Sequence, residues 1–266
     1  MNSYDHIHYV NRPTIGIIRE EGSNGDREMI AAFKYVGFDI FDLHMNDLIE
    51  NPKLIRKCRG LIYVGGFSHG DVLGSGYGWY LTIQNNSELR MEMDLFYKNK
   101  KTFSFGVCNG FQLMVRQDIF STRLDINQKI RLEKNNSERF ESRFTNVKIV
   151  NDNNIFFKGM KDMVFGVWVA HGEGRLEFGN LEKKQKVLQY VDSEGNSTLT
   201  YPYNPNGSME ALAGICSTNG RHLGMMPHPE RSFLKYHLPY TNNYDISNSP
   251  WLFMFNNIFN WCVINK

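Results

Sequence analysis

Residues 102–115 read TFSFGVCNGFQLMV, and the change of pattern inside this stretch decides the fold. Its apolar first half favours a buried strand, whereas its second half favours a helix. Cys108 lies at the turn between the two, where Gly106 and Gly110 let the backbone pass closely on either side. A thiol at a helix N-terminus is favoured in its reactive thiolate form. The stretch therefore predicts a cysteine nucleophile, and the alternative interpretation is a packed structural thiol.

Strand and helix patterns alternate through the first 122 residues. One helix is predicted to begin with Asp26 as its cap and to end at Gly37, and another to cover residues 81–97. Strands that alternate with helices pair in parallel through right-handed crossovers. The sequence therefore predicts an α/β fold, with apolar strands at residues 13–19, 38–43, 60–64 and 102–107.

The pattern changes after about residue 122 to short runs separated by Asn, Gly and Pro. Such runs favour antiparallel strands. Asn219 and Gly220 are expected at the turn of a hairpin, and a last amphipathic helix is predicted at residues 251–263. The additional antiparallel strands are predicted at residues 143–150, 163–170, 187–191, 211–216 and 222–226.

Length and charge favour a single domain, residues 1–266, that acts on a small polar substrate. The 30 basic and 28 acidic residues leave a net charge of +2, and this small charge does not indicate binding to nucleic acid or to a membrane surface. Four widely spaced cysteines form no CxxC pair and are expected to be reduced thiols. We find neither a signal segment nor an apolar run that could span a bilayer, so a cytoplasmic location is expected.

A cysteine nucleophile that acts on an amide needs a base to accept its proton, and the base needs a carboxylate to orient it. The segment MMPHPER supplies both, because His228 and Glu230 are two residues apart and flanked by Pro227 and Pro229. In an extended chain such residues point to the same side. We therefore predict contact between the imidazole and the carboxylate.

Backbone amides at strand ends are candidates for an oxyanion hole. Gly65 and Gly66 follow the strand that should neighbour the cysteine strand, and the amide of Asn109 follows the nucleophile directly.

The segment AHGEGR, residues 170–175, also ends an apolar strand and is expected to form a pocket wall. An alternative makes His171 the base instead of His228. A metal site would use His171, Glu173 and His228, but their spacing matches no compact zinc signature, so no metal is expected.

Taken together, seven motifs resemble the glutamine amidotransferase domains of phosphoribosylformylglycinamidine synthases. The resemblance runs from about residue 15 to residue 255, which is nearly the whole chain. The motifs are REEGSNGDREM (19–29), GGFSHGDVLGSGYGW (65–79), GVCNGFQL (106–113), NNSERFESRF (135–144), WVAHGEGR (168–175), YNPNGS (203–208) and GMMPHPER (224–231).

The resemblance implies a flavodoxin-like, mostly parallel sheet flanked by helices, with additional antiparallel strands. It implies that Cys108 is the nucleophile, His228 the general acid and base, and Glu230 the carboxylate that orients it. Glutamine would be hydrolysed through a glutamyl thioester. The ammonia would pass to a synthetase, which uses ATP to convert formylglycinamide ribonucleotide to the amidine. ATP and magnesium would belong to that partner, this chain would hold no cofactor, and a small accessory subunit could be required.

The resemblance also implies a glutamine-binding set. Gln112 would hold the backbone end of the substrate, and the amides of Gly66 and Asn109 would bind the oxyanion. The AHGEGR loop, with His171 and Gly172, would form the wall of the glutamine pocket.

The remaining alternatives concern organisation and class. His69 stands where large single-chain members usually have tyrosine, and Phe111 follows the pattern of small separate subunits. The chain could therefore be a separate subunit or a domain of a longer polypeptide. The functional alternatives are a non-catalytic regulatory protein and another cysteine hydrolase, such as a gamma-glutamyl peptidase. Retention of the cysteine, histidine and glutamate argues against the first, and Gln112 argues against the second.

Overall fold

The structure is a computed structural model that describes residues 12–121, 129–239 and 248–265. In this part of the chain the strands β1 to β11 are Thr14–Arg19, Asp39–His44, Gly60–Tyr63, Phe103–Val107, Arg131–Glu133, Glu141–Ile149, Val164–His171, Arg175–Glu177, Lys186–Val191, Leu212–Cys216 and His222–Met225. The helices α1 to α6 are Asp26–Val36, Met45–Glu50, Tyr77–Gln84, Ser87–Lys98, Asn109–Arg116 and Pro250–Ile264.

Nine strands form one sheet in the order β2-β1-β3-β4-β11-β10-β9-β6-β7 among the described residues. The first five are parallel to one another, and the rest continue the sheet in antiparallel pairs. The arrangement of those five strands is the doubly wound, flavodoxin-like order. The predicted fold class is therefore confirmed, and β6, β7, β9 and β10 form the expected antiparallel extension. β11 pairs with β10 in the predicted hairpin, but it also lies parallel to β4 and completes the parallel part of the sheet, which was not predicted.

Burial explains why the central strands appear in the sequence as continuous apolar runs. Every residue of β3, β4, β10 and β11 is buried, because helices or other segments cover both faces of the sheet there. The outer strands β6 and β7 alternate between buried and more exposed residues. On the covered face of β7, the ring of Phe165 meets Trp251 of α6 edge to face at 4.8 Å.

Two helix boundaries differ from the prediction. The helix expected at residues 81–97 is two helices, α3 and α4, because the Asn86 side chain accepts a hydrogen bond from the amide of Leu89 at 2.9 Å and starts a new helix. At the start of α1 the cap residue is Gly25, with φ +88°, and Asp26 is the first helical residue. The expected end at Gly37 is present, with φ +110°.

A second, two-stranded sheet was not predicted. It pairs β5 with β8 in antiparallel fashion, with Leu132 opposite Leu176. Each strand has only three residues, which is too short for an alternation pattern to be detected. This small sheet fixes the chain immediately after the AHGEGR loop, since β8 begins at Arg175.

All four cysteines lie among the described residues. Cys58, Cys108, Cys216 and Cys262 are free and buried. In the described ranges, no helix has both the length and the apolar character needed to cross a membrane.

Candidate active site

The candidate site lies at the carboxyl ends of the parallel strands, where α/β sheets usually bind ligands. Cys108 follows β4 and precedes α5, and its backbone has the unusual angles φ +53° and ψ −109°. A methyl group on Gly110 would collide with the carbonyl oxygen of Tyr63, and one on Gly106 would collide with the sulfur of Met114. The two glycines thus allow the tight strand-to-helix turn on which the thiol is held.

The predicted contact between His228 and Glu230 is present. Nδ1 of His228 lies 2.6 Å from Oε1 of Glu230, and both side chains are almost fully buried. The predicted extended conformation is wrong, because the segment forms a single 3-10 turn at Pro229–Arg231. Proline favours the first position of such a turn because its φ is already fixed and no N–H is needed there. The turn, rather than strand alternation, brings the two side chains together.

His228 also lies beside Cys108. Both adjoin Gly65, because a methyl group on that glycine would lie 3.0 Å from Cε1 of His228 and 3.4 Å from Cβ of Cys108. Burial alone would lower the pKa of His228, but the Glu230 carboxylate and Cys108 outweigh it and raise the pKa to about 9. The other ring nitrogen, Nε2, is buried and has no hydrogen-bond partner among the described residues. The imidazole is therefore oriented by a carboxylate and has one nitrogen available for chemistry.

The Gly65–Gly66 pair is braced by the loop that precedes α1. Asn24 donates its backbone N–H to the carbonyl of Gly65 at 2.8 Å. Gly66 has φ +128°, and a methyl group there would lie 2.6 Å from the amide nitrogen of Asn24. Arg231, on the turn after His228, donates to the Asn24 side chain at 3.0 Å. The REEGSN segment thus supports both the glycine pair and the histidine turn.

His171 is buried at the end of β7, and neither ring nitrogen has a hydrogen-bond partner among the described residues. Burial, followed by the nearby charge of His228, lowers the pKa of His171 to about 3. The imidazole is therefore neutral at physiological pH. The Glu230 carboxylate is hydrogen-bonded to His228, so the structure gives a carboxylate partner to His228 rather than to the alternative base.

The AHGEGR loop is held by asparagines that sequence reasoning did not assign. The side chain of Asn135 donates to the carbonyl of His171 at 2.8 Å and accepts the amide of Gly174 at 3.1 Å. Gly172 accepts a hydrogen bond from the amide of Asn135 at 2.9 Å. Asn206 donates to the carbonyl of Gly174 at 2.8 Å. The NNSERFESRF and YNPNGS motifs therefore fix this loop, and their asparagine content was the available signal.

The two polar residues after the nucleophile are also buried. Asn109 donates through its side chain to Oε1 of Gln112 at 2.9 Å and accepts the amide of Ser68 at 3.1 Å. Gln112 donates from Nε2 to the carbonyl of Glu173. An amide side chain offers two N–H groups and two lone pairs. Gln112 therefore keeps one donor and one acceptor for a ligand.

A metal centre has no support in the described ranges, where no group of three or more His, Cys, Asp or Glu side chains could hold an ion. The set considered from the sequence, His171, Glu173 and His228, is not such a group.

Stability is expected to fall below about pH 6.5 because two buried histidines must stay neutral in the folded chain. Burial lowers the pKa of both His171 and His222 to about 3. The unfolded chain binds protons near pH 6.5 and the folded chain does not, so each histidine should remove about 1 kcal/mol of unfolding free energy between pH 6.5 and pH 5.5. His228 opposes this trend only weakly, by about 0.3 kcal/mol over the same interval, because it is protonated throughout in the folded chain while the unfolded chain goes from about half to mostly protonated.

Urea denaturation at several pH values checks this expectation. His222→Gln should be less stable than the unmodified chain at pH 7, because Ser104 Oγ loses its 3.0 Å contact with the imidazole. Its loss of stability between pH 6.5 and pH 5.5 should nevertheless be smaller by about 1 kcal/mol. Identical pH slopes for the two proteins would contradict the neutral, buried state of His222.

Comparison with known proteins places this geometry in context. The sequence profile of the CobB/CobQ-like glutamine amidotransferase domain matches residues 12–262. The chain is 42% identical over 264 residues to phosphoribosylformylglycinamidine synthase of Drosophila melanogaster, covering 94% of this chain and 20% of that protein. It is 45% identical over 266 residues to the probable chloroplastic/mitochondrial phosphoribosylformylglycinamidine synthase of Arabidopsis thaliana, covering 94% and 19%. The chain thus spans about a fifth of the length of these curated relatives.

Among solved structures, PurLQS from Thermotoga maritima superimposes with a TM-score of 0.71 and 24% identity, covering 94% of this chain and 99% of that chain. A putative GMP synthase component from Thermoplasma acidophilum gives a TM-score of 0.57 at 14% identity, with 96% of each chain covered. At these identities the likeness supports the fold alone.

Proposed function

This chain belongs to the family of CobB/CobQ-like glutamine amidotransferase domains, and on that premise we propose that it is the glutaminase component of a phosphoribosylformylglycinamidine synthase. One observation carries the proposal: a cysteine on a strained turn and a buried histidine–glutamate pair meet beside Gly65, at the carboxyl ends of the parallel strands. Nucleophile, base and orienting carboxylate are the parts that hydrolysis of an amide requires.

In the proposed reaction, His228 takes the proton of Cys108 before the attack and holds it beside Glu230, and Sγ of Cys108 attacks the side-chain carbonyl carbon of glutamine as a thiolate. The amides of Gly66 and Asn109 stabilise the oxyanion, with Gly65 allowing close approach. Collapse of the tetrahedral intermediate breaks the C–N bond, and His228 gives its proton to the departing ammonia. Water then hydrolyses the thioester to glutamate. The pKa of about 9 favours the protonated imidazole that the leaving step needs.

We propose that Gln112, His171 and Gly172 form the wall of the glutamine pocket. The remaining donor and acceptor of Gln112 suit the carboxylate and ammonium of a free amino acid. His171 is neutral and buried, and neither of its ring nitrogens has a partner among the described residues, so it can bind a polar ligand group. Asn135 and Asn206 would fix the position of this wall through their bonds to the loop.

Ammonia from this site would be used by a synthetase that holds ATP and magnesium and converts formylglycinamide ribonucleotide to the amidine. The support is that the named relatives are phosphoribosylformylglycinamidine synthases about five times as long as the matched region. The synthetase would be a separate subunit or the remainder of a longer polypeptide, and a small accessory subunit would complete the assembly. The four free thiols favour a cytoplasmic location.

Labelling with 6-diazo-5-oxo-norleucine, a glutamine mimic that alkylates amidotransferase cysteines, tests the proposal. Intact-mass spectrometry should detect one adduct, map it to Cys108, and find it suppressed by excess glutamine and absent in Cys108→Ser. Absence of the adduct, with and without a synthetase partner, would overturn the glutaminase assignment in favour of a non-catalytic protein. A Cys108 adduct with glutamyl peptides as the better substrates would favour a gamma-glutamyl peptidase.

A further inference from the structure

Five residues around the nucleophile close a ring of hydrogen bonds. Asn109 donates from Nδ2 to Oδ1 of Asp71 at 3.1 Å and to Oε1 of Gln112 at 2.9 Å. Gln112 donates from Nε2 to the backbone carbonyl of Glu173 at 2.5 Å. Oε2 of Glu173 accepts the amide of Ser75 at 3.0 Å, and Oγ of Ser75 donates to Oδ2 of Asp71 at 2.8 Å. The bond from Ser75 to Asp71 closes the ring, because Asp71 is also the residue that accepts from Asn109.

The ring joins three segments that are distant in sequence. They are the loop after Gly66, the start of α5 and the AHGEGR loop. Ser75, Asn109 and Gln112 are each 5% exposed or less, so water has little access to replace their bonds. Each of the three segments therefore holds the other two in place.

Asp71 occupies the central position in this ring. It supplies both carboxylate oxygens as acceptors and also accepts the amide of Gly76 at 3.4 Å. Its backbone φ of +53° lies in the left-handed region, which aspartate tolerates better than most residues. Its carboxylate acts on Asn109, the residue that follows the nucleophile along the chain. We propose that Asp71 is a positioning residue for glutamine hydrolysis, acting through this ring to fix the orientation of Asn109 and Gln112.

This role of Asp71 rests on the proposed glutaminase function. The two nitrogen-bound hydrogens of the Asn109 side chain are both used, one by Asp71 and one by Gln112. Asn109 is therefore held in one rotamer, which fixes the first turn of α5 and its backbone amide. Gln112 is held at both ends, so its remaining donor and acceptor face a set direction. Loss of the Asp71 carboxylate should loosen both groups together.

Asp71→Ala is the direct test in glutamine hydrolysis by the purified protein. We expect kcat/KM for glutamine to fall about 10- to 100-fold, with KM rising because Gln112 is released and kcat falling because the Asn109 amide is misplaced. Alkylation of Cys108 by iodoacetamide needs no oxyanion hole and no glutamine pocket. At each pH, the rate of this alkylation in Asp71→Ala should stay within about twofold of the rate in the unmodified protein.

Two further variants separate positioning from backbone strain. Asp118 also has a positive φ, of +59°, but is exposed and lies outside the ring, so Asp118→Ala carries a similar backbone cost and should leave turnover unchanged. Asp71→Asn keeps an amide oxygen for Asn109 and tolerates the same φ, so it should restore turnover to within about fivefold. A twofold or smaller loss in Asp71→Ala, or an equal loss in Asp118→Ala, would overturn the proposal.

Amide hydrogen exchange reports on the ring without depending on activity. In Asp71→Ala, exchange should accelerate at Ser75 and also across residues 171–175, about 100 positions away in sequence, because Glu173 is held through Gln112 and Ser75. Asp118→Ala should change neither region. Unchanged exchange at residues 171–175 would overturn the ring as a coupled unit. Failure of the glutaminase function would instead appear in the unmodified protein, as absent turnover and labelling with the exchange result intact.

Discussion

Cys108→Ala is expected to reduce glutaminase activity at least about 1,000-fold, because the thioester forms on the sulfur that this change removes. Glutamine-dependent synthesis by the assembled synthase should be lost with it. Synthesis from added ammonium salt should remain, since that reaction bypasses the thiol. The measurement is amidine formation with glutamine or with ammonia as the nitrogen source, using the chain together with its synthetase.

Cys262→Ala is the matched control for this experiment. Cys262 is buried in α6, and this burial raises its pKa to about 12. It is therefore an unreactive structural thiol. Cys262→Ala should leave amidine formation unchanged, both from glutamine and from ammonia. Loss of ammonia-dependent synthesis in Cys108→Ala, with fold and complex retained, would show that Cys108 is not a dedicated amide nucleophile.

The second large effect is expected at His228, and it should exceed the effect at Glu230. His228→Ala removes the group that moves the proton in both directions and should lower kcat for glutamine about 10,000-fold. Glu230→Gln keeps the imidazole and removes only its charged partner, which lies 2.6 Å away, so its loss should be about 10- to 100-fold smaller.

The pH dependence of kcat/KM distinguishes these roles further. The Glu230 carboxylate contributes to the raised pKa of His228, so Glu230→Gln should move that pKa downward. The corresponding limb of the pH profile should shift to lower pH in Glu230→Gln and in no variant outside the pair. Equal losses in His228→Ala and Glu230→Gln, or a profile that does not move, would contradict the assignment of base and orienting carboxylate.

The parallel part of the fold could be predicted chiefly because its central strands β3 and β4 are buried on both faces and give short, mostly apolar runs. The turn at Cys108 could be predicted for a related reason, since glycines at 106 and 110 signal close packing of backbone against backbone. The contact between His228 and Glu230 was predicted correctly, but from the wrong conformation, because prolines are compatible with both an extended chain and a 3-10 turn.

The hydrogen bonds that hold the loops of the site in place could not be predicted in the same way. Asn135, Asn206 and Asp71 act through side-chain hydrogen bonds to segments about 30 or more residues away in sequence. Such bonds impose no periodicity on the sequence, so pattern analysis does not detect them. The motifs that contain these residues were visible, but their mechanical role depends on the tertiary arrangement of loops.

The pairing of β4 with β11 has a consequence for the order in which the protein acquires activity. These neighbouring strands align Ser104 with His222, residues separated by 118 positions in the chain. Closing so long a loop is entropically costly, and sheets with distant partners form slowly. During biosynthesis the cysteine emerges well before its base, so a partly made chain carries a thiol without the machinery to use it. The proposed amide cleavage, and with it the release of ammonia, must therefore wait until the segment that carries His228 has been synthesised and has joined the sheet.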